Sequence, residues 1–506
     1  MSFRLLHSEN NLHNGKKTVF LINSPIKDNV TSEYLNGNAF PPLGILTIGT
    51  AVKHKTDWDV KVYDAQVTSF KEIERDMERI KPNVVGLSVL GKTYENGLKF
   101  AKLAKNHGAI TVFGNDHAAL LYNNILKNQD DVDVISAGEH GENMFVPFLQ
   151  ALETGIDFAD VPDMIYKNEN GVIVRNLVEQ PKLQGRYKMD QFEIPDRNLL
   201  PKKVWDTYLE NYLQRYGFMH PSDNVTGVST INTARGCTRC NSRCAYCGIL
   251  DLSIKLSSPT KFWKEVEAAR QQINANVLYE VFDSMSSVPW WIEELINTKP
   301  PHLADTKFIL YAQAIDINEK TVDLLKRLGV VMLNMGLDSG DDTMLMRLKG
   351  PKDSVEINKN AVELVNKAGM NVSCSFVCGA PGETKESLRN TVNFAKWIAD
   401  NKLAAAIEAN PLTLRKQSKI GSWFDNPEKA KKDLLAIGLK IKNEHCLLEV
   451  SYAWNNEDIL TLSMDEAYFD IFTNVNYKQI IETADEIVNY AKTKGIGSSE
   501  REKSNG

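Results

Sequence analysis

The residues with the clearest chemical potential are four cysteines in one short stretch, Cys237, Cys240, Cys244 and Cys247. The chain has seven cysteines in all, and these four lie within eleven residues. Three residues lie between Cys240 and Cys244, and two lie between Cys244 and Cys247. One loop can therefore bring these three thiolates to a single inorganic centre, as iron–sulfur ligation requires. Three ligands for four irons leave one iron open, and an open iron can chelate a small molecule.

Two other structures are compatible with clustered cysteines when the spacing is considered alone. A structural zinc knuckle usually combines two cysteines with a second, distant pair of ligands. A disulfide cluster forms in oxidising compartments and would not stay oxidised in a cytosolic chain. The choice between these structures and an iron–sulfur cluster therefore depends on motifs elsewhere in the chain.

Length and composition narrow the class of protein. At 506 residues the chain is long enough for two or three domains of about 100 to 200 residues each. Its net charge is -6, and lysines and arginines do not gather into a basic block, so nucleic-acid binding is not expected. The start lacks the apolar core of a signal peptide, and no run approaches the roughly 18 to 20 apolar residues of a membrane span. We therefore expect a cytoplasmic protein with reduced cysteines and no membrane partner.

The first 155 residues are predicted to form a doubly wound, Rossmann-like α/β domain. Five short apolar runs alternate with helical patterns, and their continuous hydrophobicity is typical of buried parallel strands. In such sheets, ligands bind at the carboxyl ends of the strands. The alternative is that the glycines there only make tight turns and that His117 caps a helix. The candidate binding residues at these ends are Ser88, Gly114, His117, Gly138 and Glu139.

The rest of the chain is predicted to contain a linker, a second α/β domain and a helical extension. Residues 156–226 break the alternation with several prolines, which predicts a linker with a hairpin and a short helix. From 227 to 424 the alternation resumes in six units, too few for the eight of a closed barrel. We predict a partial, TIM-like (β/α)6 barrel that is open on one side. Residues 425–506 predict a C-terminal helical extension with a disordered tail.

Functional residues in such barrels lie where strands end and loops begin. The cysteine loop follows the first predicted barrel strand, Asp283 and Ser284 follow the second, and Gln313 lies on the third. Further motifs end the fourth and fifth strands. Cys374 and Cys378 share one face of the fifth strand, which is more typical of core packing than of chemistry.

These motifs resemble the radical S-adenosylmethionine superfamily, in particular the subgroup with an N-terminal cobalamin (vitamin B12)-binding domain. The spacing of the last three cysteines, with Tyr246 before the final one, is similar to the superfamily signature. In that signature three thiolates hold a [4Fe–4S] cluster, and the free iron binds S-adenosylmethionine. Residues 336–340 resemble the family's Gly-Ile-Glu-Ser-Gly, and residues 379–384 resemble the Gly-x-Pro-Gly-Glu-Thr turn of cobalamin-dependent members. The N-terminal strand ends, with residues 41–44, are similar to the cobalamin-binding domain.

The resemblance implies a role for each candidate. Cys240, Cys244 and Cys247 would ligate the cluster, and the N-terminal strand ends would bind cobalamin. The Asp-x-His-x-x-Gly pattern that supplies a histidine to cobalt in other cobalamin proteins is absent, so we expect no protein histidine on the cobalt. The other cofactor-binding candidates are Tyr246, Asp283, Ser284, Gln313, Asp338, Ser339, Gly379, Pro381 and Glu383.

Three departures from the family pattern affect these assignments. The usual Gly-Gly-Glu after the second strand is absent where Asp283 and Ser284 stand, and Asp338 is one methylene shorter than the family's glutamate. Related enzymes place the first ligand in the Arg-Gly-Cys step, whereas here Cys237 occupies that step and Cys240 follows it by three residues. Either Cys240 is the ligand and Cys237 is additional, or the loop bulges and Cys237 replaces it. The standard spacing favours Cys240.

The resemblance implies a cobalamin-dependent radical S-adenosylmethionine enzyme. Such an enzyme would generate a 5'-deoxyadenosyl radical and methylate an unactivated carbon of a small molecule, with electrons from a donor such as flavodoxin or ferredoxin. Cyclisation or rearrangement of the substrate is an alternative outcome. A non-catalytic iron–sulfur or corrinoid-binding protein is another, but it would have no use for the polar residues at the strand ends.

Overall fold

A computed structural model gives the fold of the chain. It describes residues 16–26, 40–138, 140–155, 158–176, 183–220, 224–239, 242–249, 253–457 and 462–497. Within these ranges the strands form a sheet of seven, a sheet of six and a small sheet of two. None of the helices within them is long and apolar enough to span a bilayer.

The first sheet consists of short strands that are buried on both faces. It contains β1 (Thr18–Asn23), β2 (Asp59–Asp64), β3 (Val84–Ser88), β4 (Ile110–Gly114), β5 (Val134–Ser136), β6 (Met164–Lys167) and β7 (Ile173–Arg175). The order is β2-β1-β3-β4-β5-β6-β7, and the first five strands are parallel. Alternate side chains of β1 enter two different hydrophobic cores, with Leu21 on one face and Phe20 on the other.

Helices cover both faces, as a parallel sheet of apolar strands requires. They are α1 (Gly44–Lys55), α2 (Phe70–Ile80), α3 (Tyr94–Asn106), α4 (Asp116–Asn128) and α5 (Gly141–Thr154). Helices α1 and α5 share a core with Leu21, whereas α2, α3 and α4 share one with Phe20. This arrangement confirms the predicted doubly wound, Rossmann-like domain.

The segment predicted as a linker contributes to both large domains. Its hairpin, β6 and β7, adds antiparallel to β5 and so extends the first sheet beyond residue 155. Its helix α6 (Lys202–Tyr216) places Tyr208 and Tyr212 in one core with Val228 and Val277 of the second domain. The two domains therefore pack through α6, and the exact boundaries between them stay a prediction.

The second sheet is the predicted partial barrel. Its strands are β8 (Val228–Ile231), β11 (Val277–Glu280), β12 (Lys307–Ala312), β13 (Val330–Asp338), β14 (Asn371–Cys378) and β15 (Ala406–Pro411). They are parallel and follow chain order from β8 to β15, and these two end strands do not pair, which confirms a six-stranded barrel open on one side. A short ladder of β9 (Ala234–Arg235) and β10 (Lys255–Leu256) flanks the cysteine loop.

Helices cover the outside of the barrel. They are α7 (Pro259–Ile273), α8 (Pro289–Asn297), α9 (Glu319–Leu328), α10 (Asp342–Leu348), α11 (Val355–Lys367) and α12 (Lys385–Asp400). Along β14, buried and partly exposed residues alternate, so one face packs on the helices and the other faces the barrel interior. Cys374 and Cys378 lie on the buried face.

The C-terminal extension is helical and closes one edge of the barrel. Its helices are α13 (Ser422–Asp425), α14 (Pro427–Ala436), α15 (Glu444–Asn456), α16 (Leu462–Phe472) and α17 (Tyr477–Thr493). After α17, Gly497 pairs with the edge strand β15, where its backbone exchanges hydrogen bonds with Ala405 and Ile407 at 3.0 Å each. A disordered tail is predicted at the end of residues 425–506, and residues 498–506 lie outside the described residues.

Candidate functional site

The cysteine loop follows β9 at the carboxyl edge of the barrel sheet. Its thiols Cys237, Cys244 and Cys247 are free and partly buried. Burial raises the pKa of all three, that of Cys244 to about 12, and a bound cation would favour their ionised form. Cys240, the first predicted ligand, lies outside the described residues. Among the residues that are described, no three metal-binding side chains converge.

Positive side chains surround the loop, which suits the negative charge of thiolates around an iron–sulfur cluster. The Nη2 atom of Arg243 is buried and makes no hydrogen bond within the described part of the chain. Its charge opposes the rise in the pKa of Cys247, and Lys349 and Arg239 do the same for Cys244. The thiols and these cations therefore fit a cluster ligated by thiolates.

Gln313 connects the cysteine loop to the loop after β11. Its Nε2 atom donates to Thr238 Oγ1 at 3.0 Å and to the Ser284 hydroxyl, and it lies 3.7 Å from Cys237 Sγ. Its Oε1 atom accepts a hydrogen bond from Arg239 Nε at 2.5 Å. Two predicted cofactor residues from different strands, Gln313 and Ser284, are thus brought together beside the predicted cluster.

Asp283 lies three residues after the end of β11, and it is partly exposed. Burial is the main cause of the raised pKa of Cys237 and Cys247, and the negative charge of Asp283 adds to it. The same negative charge also adds to the raised pKa of Tyr311 on β12, for which burial is again the main cause. A cationic group between the loop and the interior would therefore be stabilised by this carboxylate.

Asp338 ends β13 in a buried network close to the cysteine loop. Its Oδ2 atom accepts a hydrogen bond from the Tyr246 hydroxyl at 2.9 Å and lies 3.3 Å from Lys349 Nζ. The Lys349 ammonium also donates to the Gly336 carbonyl at 2.6 Å. Asp338 has a φ of 60°, a left-handed conformation that costs a residue other than glycine roughly 1 kcal/mol or more. Such strain is typical of positions where function fixes the backbone.

Ion pairs that the sequence does not reveal support this network. Arg239 Nη2 lies 2.7 Å from Asp353 Oδ2, and Lys349 Nζ lies 3.7 Å from Asp353 Oδ1. Arg239 also donates from Nη1 to the Lys349 carbonyl at 2.9 Å. More than a hundred residues separate the cysteine loop from Asp353 in sequence, and no local spacing could have indicated this contact.

Ser339 follows Asp338 but points into the chain's own packing. It is 1% exposed, its Oγ atom lies 3.1 Å from Thr391 Oγ1, and it accepts a hydrogen bond from the Asp341 N–H at 3.1 Å. These contacts join the start of α10 to α12. The predicted role of Ser339 at a cofactor stays a prediction.

The predicted turn after β14 is held by Glu383. This carboxylate accepts hydrogen bonds from the N–H groups of Gly379 and Ala380 at 3.1 Å each and from the Ser387 hydroxyl. Burial raises the pKa of Glu383 to about 7. Gly379 has a φ of 104°, and a Cβ atom there would lie 2.2 Å from the ring of Phe469 on α16.

Two further contacts fix this turn against its neighbours. The Pro381 carbonyl accepts a hydrogen bond from Arg347 Nη1 at 2.9 Å, and the Gly379 carbonyl accepts one from the Tyr468 hydroxyl at 3.0 Å. The turn therefore joins the barrel to α10 and to the C-terminal helices. Contact between its residues and a cofactor stays a prediction.

The carboxyl ends of β3 and β4 form an open edge of the first sheet. Ser88 and Gly114 pair in register, and Asn115 Nδ2 donates to Ser88 Oγ at 3.2 Å. A Cβ atom on Gly114 would meet nothing within 4 Å, so a ligand can approach the backbone there. His117 is 8% exposed, and its ring centroid lies 4.7 Å from that of Tyr94. This edge fits a large ligand laid across the strand ends.

The loop after β5 brings the first sheet into contact with the cysteine loop. Gly138 lies in this loop, and Glu139 lies outside the described residues. His140 is buried, and its Nδ1 atom lies 2.9 Å from Nη1 of Arg235, which leads into the cysteine loop. Because a guanidinium only donates, His140 must accept at Nδ1. This contact, which no motif in the sequence indicates, joins the edge predicted for cobalamin to the loop predicted for the cluster.

Comparison with known families assigns these two regions separately. Residues 236–395 match the Radical SAM superfamily, and residues 36–146 match the B12 binding domain. The chain combines a radical S-adenosylmethionine domain with a cobalamin-binding domain. It is an enzyme, and its two domains imply a [4Fe–4S] cluster, S-adenosylmethionine and cobalamin. The family and the cofactors predicted from the sequence are thereby confirmed.

Two curated relatives resemble most of the chain. It is 25% identical over 383 residues to an uncharacterized methyltransferase of Pyrococcus horikoshii, a match that covers 72% of this chain and 74% of that protein. It is 23% identical over 387 residues to the anaerobic magnesium-protoporphyrin IX monomethyl ester cyclase of Rubrivivax gelatinosus, covering 71% of this chain and 63% of the cyclase. The chain thus spans somewhat less than two thirds of the cyclase.

Two solved structures share the arrangement of both domains. The radical S-adenosylmethionine methyltransferase TsrM from Kitasatospora setae, with cobalamin and a [4Fe–4S] cluster bound, aligns with a TM-score of 0.62 at 19% identity over 80% of this chain and 77% of that one. The cobalamin-dependent radical enzyme OxsB, with aqua-cobalamin and S-adenosylmethionine bound, aligns with a TM-score of 0.59 at 17% identity. That match covers 82% of this chain and 56% of OxsB. At these identities the likeness establishes the fold.

Proposed function

We propose that this enzyme is a cobalamin-dependent methyltransferase that alkylates an unactivated carbon of a small molecule. The observation that carries the proposal is the contact between Arg235 and His140 at 2.9 Å. It joins the cysteine loop directly to a loop at the cobalamin edge. A methyl carrier beside a radical generator is the arrangement that methyl transfer to a substrate radical needs.

The proposal gives each part of the site a role. When bound, the cluster and S-adenosylmethionine supply a carbon-centred radical and cobalamin supplies a methyl group. Cys240, Cys244 and Cys247 would hold the cluster, and the strand ends at Ser88 and Gly114 would hold cobalamin without a histidine on the cobalt.

The polar residues of the barrel edge would position S-adenosylmethionine. Asp283 offers a carboxylate to a cationic amino group, and Gln313 with Ser284 offers a hydrogen-bonding pair beside the cluster. Asp338, fixed by Tyr246 and Lys349, would contact S-adenosylmethionine from the end of β13. Small errors in such positions are costly, since a displacement of about 1 Å can slow a reaction on the order of a hundredfold.

A second candidate reaction is a cyclisation, because the cyclase of Rubrivivax gelatinosus is among the relatives. Both reactions need an electron donor, for which we propose a flavodoxin or ferredoxin. Both also need free thiols and an intact cluster, so we propose that the enzyme works in the cytoplasm.

Isotope transfer separates the two reactions. The anaerobically reconstituted protein would be incubated with methyl-labelled S-adenosylmethionine, a reductant and fractions of a metabolite extract. Methyl transfer predicts label in a product, with S-adenosylhomocysteine and 5'-deoxyadenosine formed in about equal amounts. Abundant 5'-deoxyadenosine with neither label transfer nor S-adenosylhomocysteine would reject methyl transfer and favour cyclisation.

A further inference from the structure

The inner wall of the partial barrel carries tyrosine and charged side chains that the assignments above do not use. Side chains on β12 and β15 alternate, so that Leu310 and Ile407 enter the outer core while Tyr311 and Glu408 face the interior. Leu310 is fully buried, whereas Tyr311 is 38% exposed. Solvent, and hence a small ligand, reaches this wall.

Helix α6 completes the wall from the opposite side. Arg215, in its last turn, lies with Nη2 3.2 Å from Glu408 Oε1, and the two side chains are 30% and 29% exposed. The Arg215 guanidinium also lies 5.2 Å from the ring centroid of Tyr216. On the strand side, the ring centroids of Tyr279 and Tyr311 are 5.7 Å apart. A half-exposed ion pair and three tyrosine rings therefore share one surface.

This surface lies next to the residues assigned to S-adenosylmethionine. Gln313 directly follows β12, which ends at Ala312, and its backbone is still extended, with φ -96° and ψ 132°, so its side chain points to the same side as that of Tyr311. Burial raises the pKa of Tyr311, the negative charges of Asp283 and Glu408 add to the rise, and a hydrogen bond with Tyr279 opposes it, so the hydroxyl stays protonated. A ligand bound to this wall would therefore lie next to the S-adenosylmethionine that we propose is held by Gln313 and Asp283.

A half-exposed ion pair selects its ligand by charge. A ligand with one charge would pair with Arg215 or Glu408 and leave the other without its counter-ion, which is unfavourable in a partly desolvated site. A ligand with both charges pairs with both side chains at once. The tyrosine rings add contact area for its body and attract its cationic group. An apolar macrocycle or lipid tail would contact only the rings and would pair with neither charge.

We propose that Arg215, Glu408, Tyr279 and Tyr311 bind the substrate and that the substrate is a free amino acid, held by its carboxylate and its ammonium group. The inference rests on the proposed function, because it takes the barrel interior as the place of reaction. It adds the chemical class of the substrate and the side chains that select it.

Ligand-observed NMR on the anaerobically reconstituted full-length enzyme tests this proposal. The probe is a mixture of the twenty standard amino acids, in the presence of S-adenosylmethionine, followed by a dissociation constant for each amino acid that binds. We expect at least one to bind, and Glu408→Gln and Arg215→Gln each to raise its Kd at least about tenfold. Tyr311→Phe should raise it a few-fold. Arg327→Gln, which breaks the exposed pair with Asp323 on α9, is the matched control and should leave it unchanged.

Derivatives of the bound amino acid test the charge requirement separately. Its methyl ester lacks the carboxylate and its N-acetyl form lacks the ammonium group, so both should bind at least about tenfold more weakly. The proposal is overturned if no amino acid binds, if neither charge-pair variant changes the Kd, or if both derivatives bind as well as the parent. Iron content and 5'-deoxyadenosine release without substrate are measured in parallel. Their loss in the wild-type protein would reject the proposed function itself, whereas their retention confines a negative result to the substrate class.

Discussion

Two buried carboxylates follow neighbouring strands of the barrel, and their surroundings differ. Asp338, after β13, has the Lys349 ammonium at 3.3 Å and the Tyr246 hydroxyl at 2.9 Å, both linked to the cysteine loop. Glu383, after β14, accepts two backbone hydrogen bonds at 3.1 Å and serves a turn that packs on the C-terminal helices. An acid at a strand end therefore indicates a functional site only when its partners belong to that site. We infer that Asp338 acts in the chemistry and that Glu383 acts in the fold.

The largest expected effect concerns the loop on which this comparison depends. Cys244→Ala should reduce the iron bound per chain to near zero and abolish S-adenosylmethionine cleavage, because a three-thiolate site cannot lose a ligand and keep its cluster. Cys374→Ala is the matched control, since that thiol is fully buried on the outer face of β14. It should keep its iron, measured colorimetrically after anaerobic reconstitution.

The same measurement decides which cysteine is the first ligand. Cys240→Ala should lose the cluster, whereas Cys237→Ala should keep it. The opposite result would assign the ligand to Cys237 and would require the loop to bulge. Equal iron in the Cys244 and Cys374 variants would contradict the cluster site altogether.

Asp338 and Glu383 can be compared directly by their effect on cleavage. Asp338→Asn removes the nearer of the two carboxylates beside Lys349 and loosens the network at the cysteine loop, so 5'-deoxyadenosine formation should slow on the order of a hundredfold. Glu383→Gln keeps the shape of the turn and should stay within about twofold of wild type. The rates are measured by anaerobic quenched assays at saturating S-adenosylmethionine. A slow Glu383 variant beside a normal Asp338 variant would reverse our assignment.

Because the Glu383 turn packs closely on α16, a substitution at Gly379 should lower stability without lowering the rate of the reaction. Gly379→Ala places a Cβ atom 2.2 Å from Phe469 at a φ of 104°, and it should lower the free energy of unfolding by about 2–4 kcal/mol. Gly438→Ala is the control, because that glycine has a φ of 73° but no atom within 4 Å of its Cβ position. It should cost only about 1 kcal/mol. Equal midpoints of denaturation for the two variants would show that the contact with α16 does not matter.

The smallest expected effect is a change in the pH dependence of stability. The pKa of Glu383 is raised by burial to about 7 from the usual 4.5, so the folded state binds the extra proton between these values. Stability from this group is therefore full below about pH 4.5 and declines as the pH rises toward 7, by on the order of 1–3 kcal/mol. Glu383→Gln should flatten the curve in that window. Glu280, whose pKa burial raises to about 8, should keep a residual slope. An unchanged slope would mean that Glu383 is ionised throughout the window.

Local patterns in the sequence were sufficient for much of the fold. Apolar β-branched runs predicted the parallel strands of both sheets, and the cysteine spacing with its flanking motifs predicted the family. The hairpin that extends the first sheet was assigned to the linker, because short-range turn signals do not show which strand an edge hairpin pairs with. The ion pairs of Asp338 and Asp353 with Lys349 and Arg239 could not be predicted for a similar reason. Their network joins the cysteine loop to segments about a hundred residues away, and it forms only in the folded barrel.

One measurement tests the central claim, that the cluster and cobalamin serve methyl transfer in a single chain. The reconstituted protein would be loaded with reduced cobalamin, incubated anaerobically with methyl-labelled S-adenosylmethionine without substrate, desalted and analysed for label on the protein-bound corrinoid. Our account predicts about four irons and one corrinoid per chain, with label on the corrinoid and no histidine bound to cobalt. A protein that binds its corrinoid and cluster but leaves the corrinoid unlabelled, or that binds no corrinoid, would contradict it.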